Sequence, residues 1–470
     1  MFLDVDQKDP GKIAAIDEGA NEVTYGDMVR ISQQVRDLLR PRELVFCLCR
    51  NQVGALAGYV ALYENKDVSL LLGAKTDRAL LDELLNLYRP SYLWLPEARA
   101  CDFPFELVFC AYRYSLVKTG WEAPAMNDDL SFLLTTSGTT GSPKLVRHKY
   151  GNLEANARNV AKVFGWTDQE RSICDLPMQY TMGLNVINST LYAGGTVLLC
   201  ESGLTDVGFW DFIKKQRGTN FTGVPYSYEV LDKLRFTRMR MPDLHTIAEG
   251  GGKLSDEMFM KLANYAKETG RRFFATFGTT ETSARLAYLD PKIALDKCGS
   301  IGQAIPEGEM YLIDEEGSIV GRTEAEGELA YRGPNVTMGY AVTADDLKMG
   351  DVFRGEYHTG DIARRDEGGY YYIIGRKKRF LKLFGLRVSL DQMERMIGCA
   401  FGVACACVGD DKRMRVYFEG EADPEGILRF IGQRTGLLTS VFDVRQIDTL
   451  PRNDTGKIAY KALEGSVDGK

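Results

Sequence analysis

The 470-residue sequence predicts an α/β protein: a large N-terminal body of βαβ-type sheets carrying a small β-barrel, then a smaller α+β C-terminal unit. Three observations carry this reading. Apolar strand-like runs alternate with helical spacings through residues 1–370. Residues 307–340 change to short strands separated by Gly and Asp-Glu-Glu-Gly turns. A dense run of cations then precedes a fresh helix–strand pattern.

In chain order, residues 25–39 set Val29, Ile31, Val35, Leu38 and Leu39 at helical spacing, and 44–49 form a short apolar strand. Residues 55–63 are helical and 68–72 a strand; 196–200 and 273–277 are further strands. Such alternation implies largely parallel sheets with helices on their faces. Residues 310–313 and 328–331 are the short strands of the expected antiparallel barrel. After a strand at 370–374 the boundary falls at Arg376 to Arg379, giving domains 1–376 and 377–470. The second holds helices at 390–397 and 424–435 and strands at 404–408 and 413–418.

Hydrophobic content of 44% and charged content of 26% suit a globular protein. No run approaches the roughly 18 uncharged apolar residues of a membrane span. The first ten residues hold three aspartates and no basic n-region, so no secretory signal is read there. The ten cysteines include Cys47/Cys49 and Cys405/Cys407 but no C-x-x-C, which favours buried thiols in a cytoplasmic protein over disulfides or zinc. A net charge of −7 argues against general nucleic-acid binding. Residues 377–470 nevertheless hold 16 basic and 13 acidic residues. Arg376, Lys377, Lys378, Arg379 and Lys382 put five cations in seven positions. Such a run is either a solvated turn or a cationic hinge that meets a polyanion.

The most informative segment is Leu134-Thr135-Thr136-Ser137-Gly138-Thr139-Thr140-Gly141-Ser142-Pro143-Lys144-Leu145-Val146. Its hydroxyls, glycine amides and ammonium suit a polyphosphate. It departs from a Walker loop: Pro143 intervenes, and Leu145 rather than a hydroxyl follows Lys144. Proline disfavours helical geometry at Ser142 and offers no amide proton. The apolar run 132–134 reads as a buried strand, so the loop is expected to join two strands rather than open a helix.

Companions follow in fixed order. They are Ala248-Glu249-Gly250-Gly251-Gly252-Lys253-Leu254, Phe277-Gly278-Thr279-Thr280-Glu281-Thr282, Tyr357-His358-Thr359-Gly360-Asp361, Gly375-Arg376-Lys377-Lys378 and Pro451-Arg452-Asn453-Asp454-Thr455-Gly456-Lys457. Together with Val23-Thr24-Tyr25-Gly26, the series resembles the adenylate-forming (AMP-binding) superfamily of acyl- and aryl-CoA synthetases, peptide-synthetase adenylation domains and luciferases. The resemblance covers nearly the whole chain. It implies that the C-terminal unit is a mobile lid, that ATP and Mg²⁺ are used, and that a carboxylic acid is activated.

A carboxylate is a poor electrophile because its leaving group would be oxide. Attack on the α-phosphate of ATP gives an acyl-adenylate whose leaving group is AMP. That step brings two anions together and needs cations and donors around the developing charge. The resemblance assigns the catalytic lid lysine to Lys457, the α-phosphate hydroxyl to Thr280 and the magnesium carboxylate to Glu281. Thr279 to Ser283 would also cap a helix well, and both roles can hold. The nucleotide is expected to meet Thr136, Ser137, Gly138, Thr139, Thr140, Gly141 and Lys144 at its phosphates. Gly250, Gly251, Gly252, Phe277, Gly278, Thr279 and Ile373 are placed about it, with Asp361 and Arg376 at the ribose. Phe277 stands where tyrosine is common, which keeps stacking and loses the phenol. Lys378 falls at the hinge, Lys382 on the thioester-forming face of the lid, and Gly385 beside the pantetheine path.

Residues 176–185 resemble the segment that gates the acyl pocket, with Tyr180, Thr181, Met182 and Asn185 facing it and Tyr226 on another wall. No acid occurs from Leu176 to Leu199 to pair with a substrate ammonium, so a neutral-tailed acid is expected rather than an α-amino acid. Leu145 takes a position where glycine is usual and should stiffen the loop's exit. No carrier-protein segment follows the lid. The acceptor is therefore CoA, the phosphopantetheine arm of a separate carrier protein, or an amine. An acid–thiol ligase, a free-standing adenylation enzyme or amide ligase, and a non-catalytic nucleotide-binding relative are the three readings. The intact Lys144, Thr280, Glu281, Asp361, Arg376 and Lys457 weigh against the last.

Overall fold

A computed structural model describes residues 1–135, 144–377, 379–383, 386–410, 412–435, 437–453 and 456–464, with the backbone alone at 380, 382, 386 and 387. The chain resolves into two compact units: Met1–Glu309 with Tyr331–Tyr357, and Met310–Ala330 with His358–Lys470. The expected division at 376/377 falls inside the second.

The first unit contains a nine-stranded and an eight-stranded sheet. In the nine-stranded sheet the strands Ile13–Asp17, Thr196–Leu199, Arg171–Cys174, Asn220–Gly223, Thr246–Glu249 and Arg272–Phe277 lie side by side and parallel. This is the parallel alternation the sequence implies. The segments 175–185, 224–228, 250–254 and 278–285 therefore all leave the carboxyl ends of neighbouring strands, where α/β sheets commonly bind ligands. Asn156-, Phe164- and Asn185-bearing helices, Asn152–Phe164 and Thr181–Ala193, belong to the same unit.

In the eight-stranded sheet, Leu44–Cys49 pairs in parallel with Val68–Gly73, which pairs in parallel with Leu130–Thr135. Leu130–Thr135 pairs antiparallel with Leu145–Lys149. The lysine-bearing loop thus joins two antiparallel strands, as the apolar run 132–134 led us to expect. Leu145 is fully buried against Leu133 and its neighbours, which explains a leucine there. The Val-Thr-Tyr-Gly motif is a helix start: Thr24 Oγ1 accepts from Asp27 N at 3.0 Å, and Asp27 Oδ2 accepts from Thr24 N at 3.0 Å, opening Tyr25–Leu38.

The second unit holds a four-stranded sheet, in the order Glu309–Ile313, Ala325–Arg332, Glu356–Arg365, Tyr371–Arg376, built by the stretch expected as a barrel and the strands after it. It also holds the Phe380–Leu383/Leu386–Ser389 hairpin and a three-stranded sheet with the helices Leu390–Phe401 and Pro424–Thr435. Its core gathers Ile397, Cys407, Val416, Phe418, Ile427 and Ile431. All ten cysteines are free. Among the described residues no helix is long and apolar enough to cross a membrane.

Candidate active site

The carboxyl ends of the parallel strands bring most of the expected pocket residues together. Leu176, Met182 and Val224 form a buried apolar cluster with Tyr180 packed on it. Gly250 is hemmed in: a Cβ there would lie 2.6 Å from Met182 Cε and 2.7 Å from Thr276 Oγ1. Gly251 has φ +79°, and its Cβ would lie 2.4 Å from Tyr180 Oη, so side chains are excluded on both counts. Burial pushes the Tyr180 phenol up to about 12. A Cβ on Gly252 would meet Pro225 Cγ at 2.9 Å. Tyr226 is 45% exposed in the first turn of Pro225–Lys233, unlike buried Ser227 and Tyr228. Asn185 is buried, donating to Asn156 Oδ1 at 2.6 Å and accepting from Arg285 Nη1.

Beside this wall, Thr181 Oγ1 and Thr280 Oγ1 are 3.0 Å apart. Phe277 ends its strand, and its carbonyl accepts from Leu286 N at 2.9 Å. Gly278 must be glycine, since a Cβ would sit 1.3 Å from the Ala284 oxygen. Thr279 caps the 3₁₀ turn Thr280–Thr282, and the chain then passes through left-handed Ser283 (φ 55°) and Ala284 (φ 100°). Such conformations in non-glycine residues persist where surrounding bonds over-determine them. Asn335 Nδ2 donates to the Thr282 carbonyl at 2.7 Å, Ser283 Oγ to the Asn335 carbonyl at 2.9 Å, and Thr337 N to the Glu281 carbonyl at 3.0 Å.

This turn presents Glu281 to Tyr340, whose hydroxyl donates to Glu281 Oε1 at 2.7 Å. The Lys144 ammonium lies over the same ring, 4.6 Å from its centre. Tyr340 reaches both because it pairs with Val146, two residues beyond Lys144. Sequence reasoning missed Tyr340. It stands 59 residues from Glu281 and belongs to no hydroxyl- or glycine-rich run, so only strand pairing identifies it. Burial, and then the Glu281 carboxylate, push its phenol well above the ordinary range.

Among the described residues no group of three or more His, Cys, Asp or Glu could hold a metal. A single carboxylate fits Mg²⁺, which takes most of its octahedral shell from phosphate oxygens and water. Glu281 would hold it, and the bound ion would neutralise phosphate charge. Tyr340→Phe keeps the ring beneath Lys144 and removes the donor that orients Glu281. Magnesium affinity of the ATP complex, measured by calorimetric Mg²⁺ titration, should fall about 10-fold, with metal-free ATP binding little changed. Unchanged magnesium affinity would show that the hydroxyl does not orient the ligand.

In the second unit Asp361 and Arg376 face each other across paired strands. Asp361 is 2% exposed, with Oδ1 held by Arg376 Nε at 2.8 Å and Oδ2 buried without a hydrogen-bond partner among the described residues. Burial pushes its carboxyl up to about 6, although Arg376 pulls the other way. Ile373, half-buried, pairs with Ala363 on the same two strands. Among the described side chains, the cationic run is ion-paired. Besides Arg376, Lys377 meets Glu328 at 2.7 Å, and Arg379 binds Asp391 and Glu394 (2.7 Å), with its guanidinium 3.8 Å from the Tyr460 ring centre.

Lys457 lies in a tight hairpin: Asn453 N donates to the Lys457 carbonyl at 2.8 Å, Lys457 N to Asn453 Oδ1 at 3.0 Å, and Gly456 turns at φ 76°. Lys382 pairs with Arg387 through the backbone. Thr136, Ser137, Gly138, Thr139, Thr140, Gly141, Lys378 and Gly385 lie outside the described residues.

The fold has known counterparts. The model of the AMP-binding enzyme family matches residues 2–341, and the chain belongs to that family. It is similar to an oxalate–CoA ligase from Arabidopsis thaliana, 28% identical over 85% of this chain and 79% of that protein. It is also similar to a 2-succinylbenzoate–CoA ligase from Bacillus velezensis, 28% identical over 73% of this chain and 70% of that protein. In fold it matches the o-succinylbenzoate CoA synthetase of Bacillus subtilis bound to its acyl-adenylate intermediate. There the TM-score is 0.78 at 21% identity, covering 100% of this chain and 98% of the other. ATP-bound MatB from Rhodopseudomonas palustris gives 0.76 at 23% identity, covering 99% and 98%. The chain is an AMP-forming acid–thiol ligase.

Proposed function

We propose that the protein converts a carboxylic acid to its acyl-adenylate with release of pyrophosphate and transfers the acyl group to the thiol of CoA, in the cytoplasm. The observation that carries this is the convergence of Lys144, Tyr340, Glu281, Thr280 and Thr181 beside the Tyr180–Met182 and Gly250–Gly251 wall. It sets candidate phosphate-binding groups beside the buried apolar cluster of Leu176, Met182 and Val224. In this reading Thr280 and Lys144 take phosphate oxygens together with residues 136–141, and Phe277 packs on the base. Asp361 and Arg376 take the ribose. Tyr180, Met182 and Gly250 to Gly252 confine the acid.

Residues 377–470 act as the lid, turning about Lys378. Lys457 is presented for adenylation, and Lys382 and Gly385 for thioester formation. Lids of this kind complete a catalytic set that the open form lacks. The CoA acceptor is supported by the names of the relatives. A cytoplasmic setting is supported by ten free cysteines.

The test is ATP–pyrophosphate exchange across a panel of acids, then product analysis with CoA. Acid-dependent exchange and a CoA thioester are expected. Exchange without thioester would replace CoA by a carrier protein's phosphopantetheine or an amine. No exchange with any acid would overturn the adenylation reading.

A further inference from the structure

Arg147 is fully buried, three residues beyond Lys144 on the strand Leu145–Lys149. Its side chain donates to four backbone carbonyls, all from one distant segment. Nε reaches the Tyr340 oxygen at 3.0 Å, Nη2 the Met338 and Gly350 oxygens at 3.0 and 3.1 Å, and Nη1 the Met349 oxygen. Its backbone joins the same segment: Arg147 N donates to the Gly339 carbonyl at 2.9 Å, and Met338 N donates to the Arg147 carbonyl at 2.7 Å. One residue thus ties Met338–Tyr340 to Met349–Gly350, and both to the strand that follows Lys144. Lys149 extends the seam by meeting Asp351 at 2.6 Å.

All four acceptors are neutral, and among the described residues no carboxylate pairs with this guanidinium. Asp351 is taken by Lys149, while Asp346 accepts from the Val342 and Thr343 amides. A buried charge without a counter-charge is a weak source of stability, and its best-attested use is to fix register. Register needs fixing here. The strand Tyr340–Ala341 is only two residues long, paired with Val146 and Leu145. A slip of one residue would turn its side chains to the opposite face. Tyr340 would then lose both Glu281, 2.7 Å from its hydroxyl, and the Lys144 ammonium over its ring. The forked guanidinium can hold four carbonyls at once, which an ammonium with three donors cannot.

We propose that Arg147 is a positioning residue for the metal- and phosphate-binding groups: it sets the register of Tyr340 and thereby fixes where Glu281 and Lys144 stand. Enclosed by carbonyls, it acts through the Tyr340 backbone. The inference rests on the adenylation reading above, in which Glu281 holds Mg²⁺ and Lys144 takes a phosphate oxygen.

The experiment is a calorimetric Mg²⁺ titration of the ATP complex, with a thermal melt of each protein. The proteins are wild type, Arg147→Met, Arg147→Lys, Tyr340→Phe, and each Arg147 variant combined with Tyr340→Phe. Arg147→Met should lower magnesium affinity by about 10-fold, the scale of losing an outer-shell partner. Arg147→Lys keeps the charge with fewer donors and should lose about 3-fold. On the Tyr340→Phe background either change should add less than about 2-fold, because both act on the same hydroxyl. Unchanged magnesium affinity in Arg147→Met would overturn the proposal; if that variant does not fold, unchanged affinity in Arg147→Lys would do so. Equal losses with and without the Tyr340 hydroxyl, or a fall in Tm alone, would mark a brace of the whole fold and overturn it too. A wild type that takes up no Mg²⁺–ATP would instead remove the adenylation reading, and this inference with it.

Discussion

Lys457→Ala is expected to cut acid-dependent ATP–pyrophosphate exchange by at least about 10²–10³-fold, the scale of removing one preorganised charge stabiliser (~2.7–4 kcal/mol). Its affinity for ATP should stay within a few-fold of wild type, because an interaction made chiefly in the transition state lowers kcat and leaves ground-state binding alone. The local structure makes the test clean. The hairpin at Lys457 is held by its own backbone and Asn453: Gly456 N to the Asn453 carbonyl at 2.8 Å, Lys457 N to Asn453 Oδ1, and a bridge between Arg452 and Ile458. These backbone and Asn453 bonds are independent of the residue type at 457. Exchange is followed with labelled pyrophosphate, and ATP affinity by calorimetry. Wild-type-like exchange would remove Lys457 from the first half-reaction; a large loss of ATP affinity would make it a ground-state phosphate ligand instead.

What was legible beforehand follows a physical division. Where a feature is local, the residues announce it. The apolar run 132–134 and Pro143 indicated a loop between strands, and Leu130–Thr135 pairs antiparallel with Leu145–Lys149. Thr279 to Ser283 indicated a helix cap, and only the short 3₁₀ turn Thr280–Thr282 stands there. The helices and strands of residues 25–73 and 390–435 follow their apolar spacing to within a few residues.

Where a role depends on partners distant in sequence, local pattern is silent. Tyr340 has no meaning until strand pairing sets it against Val146. Asn185 read as a pocket lining residue, yet its partners come from 29 and 100 residues away and make it a link between Asn156 and Arg285. Arg285 itself follows a recognised motif without belonging to it; only its burial among neutral acceptors distinguishes it from a surface cation. The cationic run at 376–382 illustrates the converse. As sequence it looked like free positive charge, but Glu328, Asp361, Asp391 and Glu394, spread over some seventy positions, hold three of its members.

Asp361→Ala is expected to weaken nucleoside binding by about 1.5–3 kcal/mol, the value of hydrogen bonds to a charged acceptor, or roughly 10- to 150-fold in Kd. The reason lies in the unpartnered, buried Oδ2. Arg376 satisfies only Oδ1, so a vicinal diol that donates to Oδ2 meets an acceptor already desolvated and held in place. A pH dependence follows, with a definite sign. Burial raises this carboxyl to about 6, so the nucleoside-free protein keeps the proton that an unfolded chain loses near 3.8. Between those values the fold binds more protons than the unfolded chain, and this group makes the free protein less stable as pH rises. A diol donor prefers the carboxylate. Binding therefore expels the proton, and affinity should climb as pH rises through about 6 and level off above 7. Below 6 it should fall by up to tenfold per unit. Adenosine is the probe, because phosphates titrate in the same range and would confuse ATP or AMP. Calorimetry from pH 5 to 8 should show the rise for adenosine, a flat profile for 2′,3′-dideoxyadenosine, and a flat, weak profile for Asp361→Ala. A pH-independent adenosine affinity in wild type, or an unchanged affinity in the variant, would show that Oδ2 is not the ribose acceptor.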